Sequence, residues 1–223
     1  AEELEALGQL PEATPPLHPW QSLSLPMPQS LRHRLAHTFW RFMHAHAAMN
    51  SGLSQEPLSG RKECSIDVSA NKKLRVGFLS ADFKQKATAF LAVSVFEALR
   101  KGPLEIFVYA ATPDERGDPS PWRQRIAAAA HRFHSIDGLT PAQASRQLVS
   151  DHLDVLIDLD GYSNEGLRVT ELVAKRHATV TIAWFVYIGT LGNPEVDYIV
   201  TDRVATPQDE AAFRTDMSGA RLF

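Results

Sequence analysis

From Lys73 onward the chain alternates short, nearly continuous apolar runs with segments of helical periodicity, and this alternation restricts the fold more than any other feature. The runs cover Leu74–Ser80, Leu104–Ala110, 154–160, 180–187 and 196–201, with a weaker candidate at 132–136. Between them the pattern predicts helices over 88–101, 119–131, 141–152 and 166–175. Thr140-Pro141 opens one of them, with proline at the first helical position. Strands that are apolar on both faces and separated by helices call for a parallel sheet covered on both sides. The expected fold class is therefore α/β, a Rossmann-like doubly wound parallel sheet over residues 73–223.

The first 72 residues have a different texture. Pro11, Pro15, Pro16, Pro19, Pro26 and Pro28 read as an extended connector. Ser30 then caps a predicted helix over 30–49, with Leu31, Leu35, Phe39, Phe42 and Met43 on one face. Its other side carries Arg32, His33, Arg34, His37, Arg41 and His44. His33 and His37 have the i, i+4 spacing of a two-histidine metal site. No cysteine or carboxylate joins them, so the face reads as basic and solvated, with no metal. Residues 50–72 are polar, rich in Ser and Gly, and read as a linker. Residues 1–72 are thus expected to form a Pro-rich connector, an amphipathic helix and a linker ahead of the 73–223 domain.

Composition removes several classes of function. Hydrophobic content of 44% and charged content of 22% belong to an ordinary globular protein. A net charge of -3 argues against nucleic acid as a partner, because phosphate-backbone binding needs a basic surface. The single cysteine, Cys64, permits no intrachain disulfide and fits a cytoplasmic location. The longest mostly apolar stretch, 180–188, is too short to span a bilayer, and the N-terminus lacks the pattern of a signal peptide, so no membrane partner is expected. The chain starts without methionine and ends at Arg221-Leu222-Phe223, which raises the expectation of a piece of a longer polypeptide.

In an open parallel sheet, ligands gather beyond the carboxyl ends of the strands. The residues there are Ser80-Ala81-Asp82-Phe83, Ala111-Thr112, Asp160-Gly161-Tyr162-Ser163 and 187–192. The first strand is not followed by Gly-x-Gly-x-x-Gly, which disfavours a nicotinamide enzyme, and Walker and Gly-x-Ser-x-Gly signatures are also missing. Asp158-Leu159-Asp160-Gly161 resembles the nucleophile motif of haloacid-dehalogenase-type phosphatases. That reading ranks low, since only Lys175 supplies a lysine downstream and no acidic pair follows at a strand end.

Several segments together, and in order, resemble the protein O-GlcNAc transferase (SPINDLY-type) family. They are 74–83 (LRVGFLSADF), Phe107-Val108-Tyr109-Ala110, 154–163 (DVLIDLDGYS), and Trp184, Tyr187, Gly189-Thr190, Gly192, Asp197-Tyr198 and Thr201-Asp202. The resemblance implies the N-terminal half of a two-domain GT-B-type glycosyltransferase. It would invert configuration while moving a sugar, N-acetylglucosamine, from a uridine or guanosine diphosphate sugar to Ser or Thr of a protein acceptor. No metal or other cofactor is implied, and the donor nucleotide would sit mainly on a C-terminal half lying beyond this chain. The substrate cleft is expected at Asp82, Phe83, Thr88, Gly161, Tyr162, Ser163, Tyr187, Gly189, Thr190 and Gly192.

The sequence departs from the family pattern within that cleft. Lys86 stands where the family's first histidine falls, and Arg132, flanked by His131 and His134, where the second falls. Ile188 and Leu191 replace a proline and a small residue in the last loop. The catalytic residue is left unassigned, and an inactive relative using the cleft as a binding or scaffolding surface stands as the alternative.

Overall fold

In the computed structural model, which describes residues 15, 17–51, 72–113, 120–163, 167–202, 204 and 221–222, the apolar runs become strands. They are β1 (Leu74–Ser80), β2 (Leu104–Ala110), β3 (Arg132–Ser135), β4 (Val155–Asp158), β5 (Val180–Trp184) and β6 (Tyr198–Val200), followed by a short β7 (Arg221–Leu222). The helices are α1 (Pro19–Ser22), α2 (Gln29–Ser51), α3 (Ala87–Leu99), α4 (Pro121–Ala129), α5 (Pro141–Ser150) and α6 (Leu167–Val173). The strand order is β3-β2-β1-β4-β5-β6-β7, and every adjacent pair is parallel. The order therefore reverses between β1 and β4, which opens a crevice at their carboxyl ends.

Several elements are shorter than their apolar runs, for local reasons. β4 stops at Asp158 because the Asp158 carboxylate accepts the N–H groups of Asp160 (2.9 Å) and Gly161 (3.1 Å), folding the chain into a turn. β5 stops at Trp184 because Phe185 takes a positive φ of 92°. The helix starts follow the sequence signals. Thr140 and Gln143 form a capping box on α5, and Ser120 caps α4 ahead of Pro121.

Side chains alternate across the sheet as the pleat requires. On one face Phe78, Ile106 and Val108 pack under α3 and α4 with Val93, Phe96 and Ile126. On the other, Leu79, Phe107, Tyr109 and Leu156 pack against Leu148, Val169 and Leu172 of α5 and α6. Glycine at 77 in β1 leaves open a space where a Cβ would lie 2.6 Å from a Leu153 methyl and 3.1 Å from the Tyr109 ring. The space lets Tyr109 cross under the strand and donate its hydroxyl to Asp151 at 2.6 Å.

Helix α2 departs from expectation. Its polar side is only partly solvated, with Arg34 exposed and His33 and His37 half-buried, and its apolar side joins the sheet's own core through Ala36, Phe39 and Met43. The stripe of Leu35, Phe39 and Met43 is buried as its periodicity predicts. Charge and periodicity alone carried no information about what the histidine side would meet.

Between α6 and β5 the buried His177 ties two elements together. Its Nδ1 lies 3.1 Å from the Lys175 carbonyl, which can only accept, so Nδ1 carries the proton. Nε2 therefore accepts from the Ser145 hydroxyl of α5 at 2.5 Å. Burial holds His177 down to about 4, so the folded state resists a proton that the unfolded chain takes up below about 6.5. Stability from this residue is complete above that value and is lost as pH falls toward 4, to the extent of roughly 3 kcal/mol. Urea midpoints at pH 7 and pH 4.5 should fall steeply for the natural protein and less for His177→Gln, whose amide retains a partner for Ser145.

Candidate functional site

The carboxyl ends of β1, β4 and β5 lie side by side, so the turns at Asp82, Gly161 and Gly189 follow neighbouring strands along one rim. At the crevice itself, Asp160 bridges β1 and β4. Its carboxylate accepts the Ser80 hydroxyl at 2.5 Å and the Ala81 N–H at 2.7 Å. Ser80 Oγ in turn accepts the Asp82 N–H at 2.9 Å, and Asp82 Oδ2 accepts the Thr88 hydroxyl at 3.0 Å. A continuous chain of hydrogen bonds therefore runs from the end of β4 to the first turn of α3.

The two carboxyl groups behind the rim are closed to solvent, Asp158 at 2% exposure and Asp160 at 0%. Burial raises both, Asp158 to about 6 and Asp160 to about 8, and the neighbouring Asp158 adds to the rise at Asp160. Asp158 spends an oxygen on backbone N–H groups, and Asp160 spends both oxygens on Ser80 and Ala81. Neither offers the accessible attacking oxygen that a phosphatase nucleophile needs. Among the described residues, no group of three or more His, Cys, Asp or Glu side chains is arranged to hold a metal ion.

The expected cleft residues divide into distinct environments. Asp82 is half-buried at the rim, and Thr88 is buried beneath it as its partner. Phe83 points inward, 1% exposed, with its ring 5.8 Å from Phe96, and so belongs to the core rather than to a groove surface. Ser163 is half-buried and donates its hydroxyl to the Asp160 carbonyl at 2.6 Å. Gly161, at φ +55°, has room only for hydrogen, since a Cβ would stand 2.7 Å from the Tyr187 Cβ. Tyr162 is buried, donates to the Leu191 carbonyl at 2.6 Å, and meets Tyr187 edge-on at 5.3 Å. Tyr187 lies 6.1 Å from Trp20, and Gly189 fits between Tyr187 and Leu23.

Thr190 and Gly192 face helix α2 instead of a groove. Thr190 is 8% exposed with its Oγ1 3.4 Å from His33 Nδ1, and the Gly192 carbonyl is 3.0 Å from His37 Nδ1. Gly192, at φ +58°, lies so close to α2 that a Cβ would come within 2.6 Å of the Ala36 carbonyl carbon. The histidine side of α2 is therefore the support for the loop after β5.

Other residues singled out by resemblance lie elsewhere. Lys86 is the N-cap of α3 with an exposed side chain, close to the Asp82 turn. His131 sits at the amino end of β3, where its Nδ1 accepts the Ile106 N–H at 3.0 Å, and Arg132 begins the same strand. His134 is turned toward Asp151 at 3.2 Å. No histidine near β3 reaches the rim.

A cavity of about 10 Å³ lined by Trp40, Asp158, Gly161 and Asn193 has room for about one water molecule. The open rim itself carries Asp82 and Lys84, both half-buried, and the exposed Lys86. Sequence reasoning missed Asp160 as the link between turns and α2 as the supporting wall. The signal for the first was present in the Asp-x-Asp-Gly turn, whereas the second had none beyond an amphipathic stripe.

The raised carboxyls give a pH dependence opposite to that of His177. Each binds a proton more tightly when folded, so their contribution is complete below about pH 4 and is lost as pH rises toward 8. Asp160→Asn mimics the protonated acid, donating to Ser80 Oγ and accepting from the Ala81 N–H. Urea midpoints between pH 5 and pH 8.5 should decline less in this variant than in the natural protein.

Comparison with known proteins places this arrangement. The profile described as glycosyl transferase family 41 matches residues 7–217. The chain is 32% identical over 136 residues to a probable UDP-N-acetylglucosamine–peptide N-acetylglucosaminyltransferase, SEC, of Arabidopsis thaliana, covering 61% of the chain and 13% of that relative. It is 28% identical over 196 residues to the UDP-N-acetylglucosamine–peptide N-acetylglucosaminyltransferase of Caenorhabditis elegans, covering 86% and 16%. A mutant O-GlcNAc transferase of Thermobaculum terrenum has the same fold, with a TM-score of 0.70 over all of this chain and 40% of that one, at 23% identity. The chain thus spans only a small part of the length of the curated relatives it matches. With the profile covering nearly its whole length, the chain belongs to glycosyl transferase family 41.

Proposed function

We propose that this chain is the N-terminal half of the catalytic region of a protein O-glycosyltransferase, which moves N-acetylglucosamine from a uridine diphosphate sugar to Ser or Thr of a protein. The observation that carries the reading is the rim itself, where turns from adjacent parallel strands meet at the reversal of strand order, in a chain of this family. The relatives named as peptide N-acetylglucosaminyltransferases supply the substrate class.

In this reading the rim forms one wall of a groove, and a second α/β half outside the chain carries most of the donor nucleotide. The acceptor hydroxyl must lose a proton as it attacks the anomeric carbon, and the departing diphosphate needs cations or N–H donors. Asp82 is the carboxylate placed to orient a hydroxyl from this side, and Lys84 and Lys86 lie beside the start of α3, where their charge favours phosphate oxygens. Transfer proceeds without a metal ion, in keeping with an Asp158-x-Asp160 pair whose oxygens are committed to the protein's own donors. No nucleic acid or membrane takes part, and among the described residues no helix is long and apolar enough to cross a bilayer. A cytoplasmic setting accords with the single cysteine.

The intact protein, given labelled UDP-N-acetylglucosamine and an acceptor protein, should transfer the sugar equally well with and without EDTA. Absence of both transfer and donor binding by calorimetry would instead establish a non-catalytic relative. The 223-residue chain by itself should bind the donor weakly or not at all, and tight binding to it would contradict a nucleotide site on a second half.

A further inference from the structure

We propose that Arg123 holds the turn after β1 in its working shape and is thereby a positioning residue for the transfer reaction; the second clause rests on the function proposed above. Arg123 lies in the first turn of α4 and is only 8% exposed. Its Nη1 donates to the Phe83 carbonyl at 3.1 Å and to the Thr112 carbonyl at 3.4 Å, and its Nη2 donates to the Ser135 hydroxyl at 2.7 Å. Its guanidinium carbon stands 5.0 Å over the Phe133 ring. One planar group therefore joins the segments at the carboxyl ends of β1, β2 and β3.

The contacts bracket Asp82. On its amino side, Ala81 is held by Asp160 through its N–H and by the Thr112 hydroxyl through its carbonyl. On its carboxyl side, the Phe83 carbonyl is held by Arg123. Thr112 belongs to both clamps, since its own carbonyl accepts from Arg123. Ser135 extends the network by donating to Asp137 at 3.0 Å. The fork geometry matters here because a guanidinium presents fixed N–H donors in several directions at once. A lysine ammonium on a flexible stem cannot hold all three acceptors in one plane. Bonds from a charged donor are also stronger than neutral ones, which suits a loop whose carbonyls would otherwise turn to water.

The test compares Arg123→Lys and Arg123→Gln with the natural residue in the intact protein, by hydrogen–deuterium exchange and by kinetics. Amides in 81–90 should exchange roughly tenfold faster in Arg123→Gln and by an intermediate factor in Arg123→Lys, while β5 and α6 stay unchanged. The transfer kcat should fall by about an order of magnitude with donor KM within about twofold of normal, since the donor is held elsewhere. Unchanged exchange over 81–90, or acceleration spread evenly over the chain, overturns the proposal. Faster local exchange with normal kcat overturns its positioning clause. If Arg123→Gln does not fold, Arg123→Lys carries both measurements. Lack of transfer by the natural protein removes the reaction, while the exchange data still decide whether Arg123 holds the turn.

Discussion

The bridge from Asp160 to Ser80 and Ala81 is the contact on which the rim depends. It spans the crevice where the strand order reverses, and both carboxylate oxygens are used within the protein. Without it, the hydrogen bonds joining the turns after β1 and β4 would, among the described residues, be only those of the ladder beneath them. Its chemistry is unusual for a surface-facing site, because the bridging group is sealed from solvent and favours its protonated form near neutral pH. The carboxyl that shapes the rim is thus not a carboxyl that the rim presents. Asp82, two hydrogen bonds further along the same chain, is half-buried at the rim.

A second constraint comes from helix α2, which lies before the sheet in sequence yet completes it in space. Its apolar stripe fills one face of the core, and its histidine side carries the loop after β5 through His33 and His37. Gly192 permits the approach, since any side chain there would overlap the helix backbone. Tyr162 closes the arrangement by bonding the same loop from the turn after β4. The loop that lines the rim at Gly189 is therefore held from two sides.

Much of this was legible beforehand. Period and composition marked β1, β2, β4 and β5, the capping of α5, and the parallel sheet, because those depend on local pattern and on burial of both faces. The turns at Asp82 and Gly161 were also legible as turns, since each directly follows the end of an apolar run. Phe83 and Thr190 were harder. A one-letter string shows that a residue follows a strand, but not whether its side chain turns inward toward Phe96 or His33. Residues around β3 misled for a related reason: His131 pairs with Ile106 at the strand's amino end, far from the rim.

By itself, the sequence determined the α/β class, the run of strands and helices, and membership of a glycosyltransferase family, because each is written in short-range pattern or in ordered motifs. Tertiary structure decided which of the rim residues are buried and which stay open, that Asp160 and Arg123 brace the turn around Asp82, and that α2 supports the last loop. Those facts rest on groups distant in the chain meeting at hydrogen-bond range. No local preference of either partner specifies such a meeting; it follows only once the sheet and its covering helices have packed.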